Sequence, residues 1–315
     1  MVAGVTVAAG AVGAGVGWVF LKRWISGGRC HSNARLDGKT VIITGCNTGI
    51  GRESAKDLAK RGARVIMACR NIEKAEEARL DVVKVSGSAN VVVKKLDLAS
   101  MKSIRDFAED IKKEEKQLNI LLNNAGIMMC PQWETEDGFE MQLGTNHLGH
   151  FLLTLLLLDL IKSSAPSRIV NVSSTAHERG SMHFDDIMLK KSYGPMKAYA
   201  QSKLANILFT RELARRLKGT GVTCYSLHPG VINTELTRHF PSYAAPLVYL
   251  GSAFLKTPEQ GAQTNIYCCV DEKAGEETGL YYKDCATATP TKAAQDDEAA
   301  KKLWDLSLKL VGLEE

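Results

Sequence analysis

The sequence predicts an α/β fold in which a doubly wound parallel sheet of about seven strands carries helices on both faces. Two observations predict it. Short apolar segments alternate with segments of helical period along most of the chain, and this alternation indicates parallel strands covered on both sides. The first apolar segment also runs into "TGCNTGIG" at 44–51 and then into a helical pattern, which is typical of the first strand–loop–helix unit of such a sheet.

The elements follow in order along a chain of 315 residues, of which 45% are hydrophobic. This length suits one large domain or two small ones, and the composition supports a sizeable core. The predicted strands are 39–44, 64–69, 91–96, 119–123, 168–173 and 222–227. The predicted helices are 52–62, 72–85, 100–116, 140–162 and 198–218. Within 140–162, "FLLTLLLLDLI" is too short to span a membrane and suits a core helix or a subunit interface.

The N-terminus differs in composition from the rest. Residues 2–20 carry no charge, and Lys22 and Arg23 follow them. As a helix this segment would span about 28 Å, close to the roughly 30 Å of a bilayer's hydrocarbon core. A cleaved signal peptide would begin with basic residues, and a mitochondrial presequence would be rich in Arg and Ser. An uncleaved membrane anchor fits best, with the large domain on the cytosolic side.

Composition also predicts the remaining boundaries. A polar, glycine-containing stretch follows the anchor, and an apolar, proline-containing stretch interrupts the alternation late in the chain. Such irregular apolar segments suit a lid. The predicted organisation is an anchor at 1–24, a linker at 25–37, one α/β domain at 38–285 with a lid at 239–256, and a charged peripheral tail at 286–315.

Charge and cysteine content exclude two classes of function. The net charge of +5 is mild and no dense block of Lys and Arg occurs, so nucleic-acid binding is not expected. The eight cysteines include no CxxC pair, which indicates reduced, mostly buried thiols. His147, His150, His177 and His228 lack an acidic third ligand at suitable spacing, so no metal is expected.

The glycine loop indicates a phosphate site. Gly45, Gly49 and Gly51 lie between a strand and a helix. The N–H groups at a helix N-terminus attract anions, and glycines let a pyrophosphate approach the backbone. The spacing is GxxxGxG rather than GxGxxG, and a tight turn without a ligand is the alternative.

The end of the second strand indicates which dinucleotide would bind. An NAD site usually has Asp or Glu about 20 residues after the loop, on the ribose 2′-hydroxyl. Here "ACRN" supplies Arg70, and the first acidic residue is Glu73. A guanidinium can pair with a 2′-phosphate that a carboxylate would repel, so the sequence predicts NADP(H). The alternative is that Arg70 is a solvated charge at a strand end.

A possible acid/base pair lies on one helix. Tyr199 and Lys203 are four residues apart and therefore share a helix face. A neighbouring ammonium favours the phenolate, and a bound oxidised nicotinamide would add positive charge. Lys203 and the cofactor are therefore expected to lower the pKa of Tyr199 and let the phenol exchange a proton with a hydroxyl or carbonyl. Such pairs are common on helices, so this pair alone is weak evidence. Ser173 and Ser174 end one predicted strand, and "NNAG" at 123–126 ends another, where ligands bind in open α/β sheets.

Together these motifs resemble those of the short-chain dehydrogenases/reductases. The resemblance covers about residues 37–285 and rests on TGxxxGIG at 44–51, NNAG at 123–126, Asn146, Ser174, the Tyr199–Lys203 pair and Pro229-Gly230. The stretches "CPQWETEDGFEMQ", "NHLGHFLLT" and "SRIVNVSSTAH" are similar to the membrane-anchored, NADP-dependent retinol dehydrogenases of that family.

The resemblance implies a Rossmann-type domain and a role for each matching residue. Tyr199 would be the general acid/base, Lys203 would lower its pKa and hold the nicotinamide ribose, Ser174 would bind the substrate oxygen, and Asn146 would hold a relay water. The implied cofactor-binding residues are Gly45, Asn47, Thr48, Gly49, Ile50, Gly51, Arg70, Asp97, Asn124, Gly126, Tyr199, Lys203, Pro229, Gly230 and Thr234. The alternatives are a structural amide at Asn146, a strand-end cap at the two serines and a helix N-cap at Asp97.

The expected reaction is hydride transfer between NADP(H) and a lipophilic carbonyl or alcohol, with retinal reduction as the choice that the resemblance implies. A reductase of steroids or lipid-derived aldehydes is the alternative on the same machinery, and a non-catalytic cofactor-binding scaffold is the alternative of another class. The resemblance also implies a homodimer, and either the cytosolic face of the endoplasmic reticulum or the mitochondrial inner membrane as the location.

Overall fold

A computed structural model describes residues 25–232 and 255–313 as one eight-stranded sheet with helices on both faces. The strands are β1 Thr40–Thr44, β2 Arg64–Cys69, β3 Val91–Lys95, β4 Ile120–Asn123, β5 Ser167–Val172, β6 Val222–His228, β7 Leu280–Lys283 and β8 Ala286–Ala288. Their order is β3-β2-β1-β4-β5-β6-β7-β8. Seven strands are parallel, which confirms the predicted fold, and β8 adds an antiparallel edge to β7.

The helices lie between the strands as the alternation predicts. They are α1 Gly49–Lys60, α2 Ile72–Ser86, α3 Met101–Glu114, α4 Met141–Leu143, α5 Gly149–Leu156, α6 Leu158–Ser163, α7 Pro195–Arg216, α8 Pro258–Val270, α9 Glu272–Gly275 and α10 Asp297–Leu310. Each of the six strands predicted from the sequence forms, with ends that shift by no more than one residue.

Two apolar layers hold the sheet between the helices. All five residues of β1 are buried. Val41 and Ile43 belong to the layer formed with α1, α2 and α8, whereas Ile42 belongs to the layer formed with α3, α5 and α7. Successive strand residues point to opposite faces, so burial on both faces explains why these strands are continuous apolar runs rather than alternating ones.

The sheet topology determines where a ligand can bind. The chain winds from β1 outward to β3, then returns to β4 on the other side of β1. The crevice outside the carboxyl ends of the strands at such a reversal is the usual ligand site of open α/β sheets. The loops after β1 and β4 meet at this crevice.

The helix predicted over 140–162 is interrupted. Gly144–Leu148 adopts a π-helical turn between α4 and α5, and α6 follows after a break at Leu157. Single π-turns are rare and often occur at functional sites. The apolar period indicates a helix but does not reveal a local change in its hydrogen-bond pattern.

The segment expected to be a peripheral tail is instead part of the fold. Its first residues form β8 on the sheet edge, and α10 packs on α7. The Trp304 ring is buried, with its centroid 5.1 Å from that of Phe151 and 6.0 Å from that of Phe209. The charged residues that suggested a tail occupy the outer face of an amphipathic helix whose apolar face covers α7.

The predicted linker is docked along the domain. The Arg61 guanidinium donates to the carbonyls of Ser32 and Ala34 at 2.9 Å, and the Cys30 amide donates to the Gln263 side chain at 3.1 Å. The predicted anchor at 1–24 lies outside the described residues, as do Thr234 and residues 239–254 of the predicted lid. Among the helices of residues 25–232 and 255–313, none has the length and hydropathy needed to cross a membrane.

Candidate active site

One cavity of about 460 Å³ collects most of the residues singled out in the sequence. It opens at the carboxyl ends of β1, β2, β4, β5 and β6. The predicted residues that line it are Gly45, Asn47, Thr48, Gly49, Ile50, Gly51, Arg70, Asp97, Asn124, Gly126, Ser174, Tyr199, Lys203, Pro229 and Gly230. Asn146 lies behind its wall, and Thr234 is outside the described residues.

The glycine loop packs so closely on the loop after β4 that side chains would not fit. Gly45 has a φ of +64°, and a Cβ there would lie 2.7 Å from the Cβ of Ala125. A Cβ on Gly51 would lie 2.5 Å from Nδ2 of Asn124 and 2.6 Å from the carbonyl oxygen of Gly45. The glycines therefore serve the contact between the two loops as well as the approach of a ligand.

The N-terminus of α1 has the features of an anion site. Thr48 is its N-cap but makes no side-chain capping hydrogen bond, and the first turn contains no acidic residue. The partial positive charge of the helix end therefore faces the cavity without a carboxylate or a cap to offset it. A diphosphate fits this end of the cavity on charge and on access to the backbone.

A matched pair of glycine substitutions separates loop contact from backbone strain. Gly45 and Gly87 both have positive φ, at +64° and +72°, but a Cβ on Gly87 would meet nothing within 4 Å. We expect each change to Ala to cost about 1–2 kcal/mol of stability through the left-handed backbone. Gly45→Ala should in addition weaken dinucleotide binding by about tenfold because it displaces Ala125. Thermal melts and fluorescence titrations with NADPH measure both effects, and equal affinities in the two variants would contradict this account.

Two cations stand on the β2 side of the cavity, next to the glycine loop after β1. Arg70 follows β2 and is exposed, as is Lys74 in the first turn of α2. The Asn71 side chain caps α2 by accepting from the Lys74 amide at 2.8 Å. Sequence reasoning missed Lys74, although its position one turn after Arg70 was a usable signal. Asp97 lines the cavity between β3 and α3 but is not the N-cap of α3, which is Ser100.

The predicted acid/base pair lies on the β5 side of the cavity. Tyr199 and Lys203 are both buried on α7, and the Lys203 Nζ lies 5.7 Å from the centroid of the Tyr199 ring. The same ammonium donates to the Val172 carbonyl at 3.0 Å. Ser174 hydrogen-bonds Tyr199, whereas the Ser173 hydroxyl donates to the Lys203 carbonyl at 2.6 Å. Ser174 is thus the serine that meets the phenol, and Ser173 holds α7 to β5.

Burial, rather than the lysine, dominates the titration of this pair. It raises the pKa of Tyr199 to about 12, and the hydrogen bond from Ser174 offsets only part of the rise. It also lowers the pKa of Lys203 to about 8. In the protein alone, desolvation therefore acts against the lowered pKa that the sequence predicts for Tyr199 beside Lys203 and a bound oxidised nicotinamide. Tyr199 is therefore a phenol at neutral pH in the protein alone.

Asn146 acts as a clamp rather than as part of the cavity wall. It lies in the π-helical turn and is fully buried. Its Nδ2 donates at 2.9 Å to the Ile127 carbonyl and to the Ser202 hydroxyl, and its Oδ1 accepts from the Ile127 amide at 2.8 Å. Both Nδ2 protons and one lone pair of Oδ1 are used, so the side chain ties the loop after β4 to α7 next to Lys203.

Two further residues, Thr44 and His228, lie at the site although the sequence analysis assigned them no role there. Thr44 is the last residue of β1, and its Oγ1 accepts from the amides of Asn124 and Ala125 at 2.9 and 3.0 Å. His228 lines the cavity at the end of β6 and accepts from the Thr175 amide at 3.2 Å. Burial lowers the pKa of His228 to about 3, so this ring is neutral. Among the described residues no group of His, Cys, Asp and Glu could hold a metal ion.

Comparison with known proteins agrees with this geometry. The family model for "short chain dehydrogenase" matches residues 39–243. Mouse retinol dehydrogenase 11 is 53% identical over 293 residues, which is 93% of this chain and 92% of that protein. Human retinol dehydrogenase 13 is 51% identical over 302 residues, with 94% and 91% covered. The resemblance inferred from the motifs is thereby confirmed.

Solved structures agree on the fold. An uncharacterised protein from Mycobacterium paratuberculosis is 35% identical, with a TM-score of 0.74 and coverage of 91% of this chain and 98% of that one. The Pseudomonas aeruginosa RhlG/NADP active-site complex is 26% identical, with a TM-score of 0.64 and coverage of 80% and 96%. The chain therefore belongs to the short-chain dehydrogenase family of oxidoreductases.

Proposed function

We propose that this protein transfers hydride between NADP(H) and a retinoid, and that it works chiefly as a retinal reductase. One observation carries the proposal: a single cavity joins the glycine loop, the Arg70–Lys74 cation pair and the group formed by Ser174, Tyr199 and Lys203. Bound NADPH would supply the hydride.

The charges around the cavity favour a phosphorylated dinucleotide. The open N-terminus of α1 suits the diphosphate, and Arg70 with Lys74 on the β2 side suits a second phosphate. No carboxylate directly follows β2 to hold a free 2′-hydroxyl, as an NAD site would require. Gly126 lines the cavity after β4, and because it has no side chain it leaves the backbone open for a ribose.

The protonation states favour reduction. Tyr199 is a phenol at neutral pH because burial raises its pKa to about 12, and a phenol can give a proton to the oxygen of a carbonyl that accepts hydride. Ser174 holds the phenol by a hydrogen bond. The Lys203 Nζ lies 5.7 Å from the centroid of the Tyr199 ring, and its charge would stabilise the phenolate as the proton leaves.

The substrate class rests on the relatives and on the apolar part of the cavity. Both curated relatives described above are named retinol dehydrogenases. Ile127, Met141 and Ile232 line the cavity and provide an apolar surface for a lipophilic carbonyl compound.

The decisive assay is NADPH oxidation with all-trans-retinal in detergent, repeated with NADH. We expect turnover with NADPH to exceed turnover with NADH by at least about tenfold, because the second phosphate adds charge-assisted hydrogen bonds. Turnover with steroids or lipid-derived aldehydes but not with retinal would overturn the substrate assignment. Tight NADPH binding without turnover of any carbonyl would instead support a non-catalytic scaffold.

The pH dependence of reduction should follow Lys203. Since burial lowers its pKa to about 8, the ammonium is lost as the pH rises through that value, while Tyr199 stays protonated. We expect kcat for reduction to be constant below about pH 7 and to fall above about pH 8. Rate profiles between pH 6 and 9.5, with NADPH affinity measured at each pH, test this. A rate that is flat or rises across this range would contradict it.

We also propose that residues 1–24 attach the enzyme to a membrane, either on the cytosolic face of the endoplasmic reticulum or at the mitochondrial inner membrane. The support is the uncharged stretch 2–20 with Lys22 and Arg23 after it. Expression of residues 1–36 fused to a fluorescent protein distinguishes the two organelles. A diffuse signal would count against attachment.

A homodimer through the leucine-rich surface of α5 and α6 is a further part of the proposal. Leu155, Leu156, Leu158 and Leu160 are only partly buried in the single chain, and a second copy would cover them. Sedimentation velocity of a protein lacking residues 1–24 tests this. We expect a dimer that Leu156→Glu weakens, whereas a monomer at all concentrations would overturn this proposal.

A further inference from the structure

A buried histidine connects the two halves of the cavity. His150 lies on α5 and is 2% exposed. Its Nε2 is 2.9 Å from Oγ1 of Thr44, and its Nδ1 is 3.1 Å from the carbonyl oxygen of Asn146. Thr44 ends the strand that carries the glycine loop, while Asn146 holds the turn next to Lys203. No role follows for this residue from the acid/base chemistry described above.

The direction of each hydrogen bond follows from the groups involved. The Asn146 carbonyl can only accept, so Nδ1 carries the proton and Nε2 does not. Nε2 therefore accepts the hydroxyl proton of Thr44. The same Thr44 oxygen accepts from the Asn124 and Ala125 amides. One neutral tautomer satisfies all of these groups.

A protonated ring would not fit this arrangement. Its second proton would point at the Thr44 oxygen, which already receives two amides, and would leave the Thr44 hydroxyl proton without its acceptor. Burial lowers the pKa of His150 to about 4, and the charge of Lys203 acts in the same direction. The ring thus stays neutral over the range in which the enzyme would work.

The two ends of the ring act on different parts of the site. On the Nε2 side, Thr44 holds Asn124 and Ala125, against which the glycine loop packs. The Asn124 side chain completes that contact by donating to the carbonyls of Thr44 and Gly45 at 2.9 and 3.1 Å.

On the Nδ1 side, His150 holds the backbone of Asn146. The side chain of Asn146 in turn clamps Ile127, which lines the cavity, and Ser202, which precedes Lys203. This end of the ring therefore acts on the acid/base group and not on the glycine loop.

We propose that His150 is a positioning residue with two separable effects: its Nε2 contact sets cofactor affinity, and its Nδ1 contact sets turnover. The second effect rests on the proposed hydride transfer, whereas the first requires only that the cavity binds a dinucleotide.

Two amide substitutions separate the effects. The amide of His150→Asn lies near the Nδ1 position and can still donate to the Asn146 carbonyl, but it does not reach Thr44. The longer His150→Gln reaches Thr44 and gives up the Asn146 contact. We expect His150→Asn to raise the Kd for NADPH about tenfold and to keep kcat within about twofold of wild type. We expect His150→Gln to lower kcat about tenfold and to keep the Kd for NADPH within about twofold. In each variant one buried group loses its hydrogen-bond partner.

Controls distinguish this role from a merely structural one. His147 is equally buried and one turn away, but its Nε2 contacts the Ser307 hydroxyl of α10 at 2.9 Å and it does not line the cavity. His147→Gln should lower Tm without changing Kd or kcat. Thr44→Val removes the same contact and also leaves the Asn124 and Ala125 amides without their acceptor, so it should raise the Kd at least as much as His150→Asn.

The measurements are NADPH fluorescence titration, steady-state kcat with retinal, and Tm for each variant. Equal losses of affinity and turnover in both amide variants, or a change in Tm alone as for His147→Gln, would overturn the proposal. If wild-type protein binds NADPH but turns over no carbonyl, the hydride-transfer proposal and the Nδ1 effect both fail. In that case the titrations still decide the Nε2 effect.

Discussion

Replacing Tyr199 by Phe is expected to lower kcat for retinal reduction by about a thousandfold, in the middle of the range for loss of a general acid. The ring fills the same space, so the packing of α7 and the hydrogen bond from Lys203 to the Val172 carbonyl should persist. The Kd for NADPH should change by no more than about tenfold, since the phenol oxygen contributes one hydrogen bond at most. Pre-steady-state NADPH oxidation and a fluorescence titration give the two quantities.

Tyr193 provides the matched control. Its hydroxyl donates to the carbonyls of Cys130 and Pro131 at 2.8 and 3.1 Å, and it precedes α7 by two residues without lining the cavity. Tyr193→Phe should affect kcat by less than about fivefold, as expected for a neutral hydrogen bond. If Tyr199→Phe kept more than a tenth of the wild-type kcat, another group would have to supply the proton.

Replacing Arg70 by Asp is expected to invert the cofactor preference. The change removes a charge-assisted hydrogen-bond donor, worth about 1.5–3 kcal/mol, and adds a carboxylate that repels a 2′-phosphate. We expect the Kd for NADPH to rise about a hundredfold while the Kd for NADH falls or stays the same, because a carboxylate here can accept from a free 2′-hydroxyl. Titrations with both cofactors measure this directly.

Two variants of α2 calibrate the effect. Lys74→Met should weaken NADPH binding less than Arg70→Asp, because a flexible ammonium is a point charge rather than a bidentate fork. Lys84→Asp makes a charge change of the same size in the last turn of α2, is exposed and does not line the cavity. It should leave both affinities unchanged. A similar loss for NADPH and NADH in Arg70→Asp would show that Arg70 acts on a part that both cofactors share.

Most of the fold was predictable because its signals are local. Strands such as 64–69 are continuous apolar runs, since both faces are buried, and helices such as 72–86 follow a helical period with capping residues at their ends. The last part of the sheet was harder. β7 has only four residues and two of them are exposed, so neither its length nor its pattern separates it from a loop. The charged outer face of α10 concealed its buried Leu303 and Trp304.

The candidate site was also largely predictable, since ligands bind where parallel strands end. The residues after β1, β2, β4, β5 and β6 could be assembled from strand order alone. Lys74 was not predicted as a site residue because an exposed lysine on a helix is usually solvated. Thr44 was assigned no role of its own because a threonine at the end of an apolar strand is usually part of the core. His150 was considered in the sequence only as a metal ligand and excluded, and nothing in the sequence indicated that it links two loops.

The chain's local patterns sufficed for the order of strands and helices, the glycine loop, the missing acid after β2 and the Tyr199–Lys203 pair, because each depends on residues close together in sequence. The three-dimensional arrangement was needed for the raised pKa of Tyr199, for the clamp at Asn146 and for the link through His150. The physical reason is that desolvation and hydrogen bonding depend on neighbours in space. Thr44 and His150 meet across 106 residues and His147 and Ser307 across 160, and no periodicity in the sequence records such contacts.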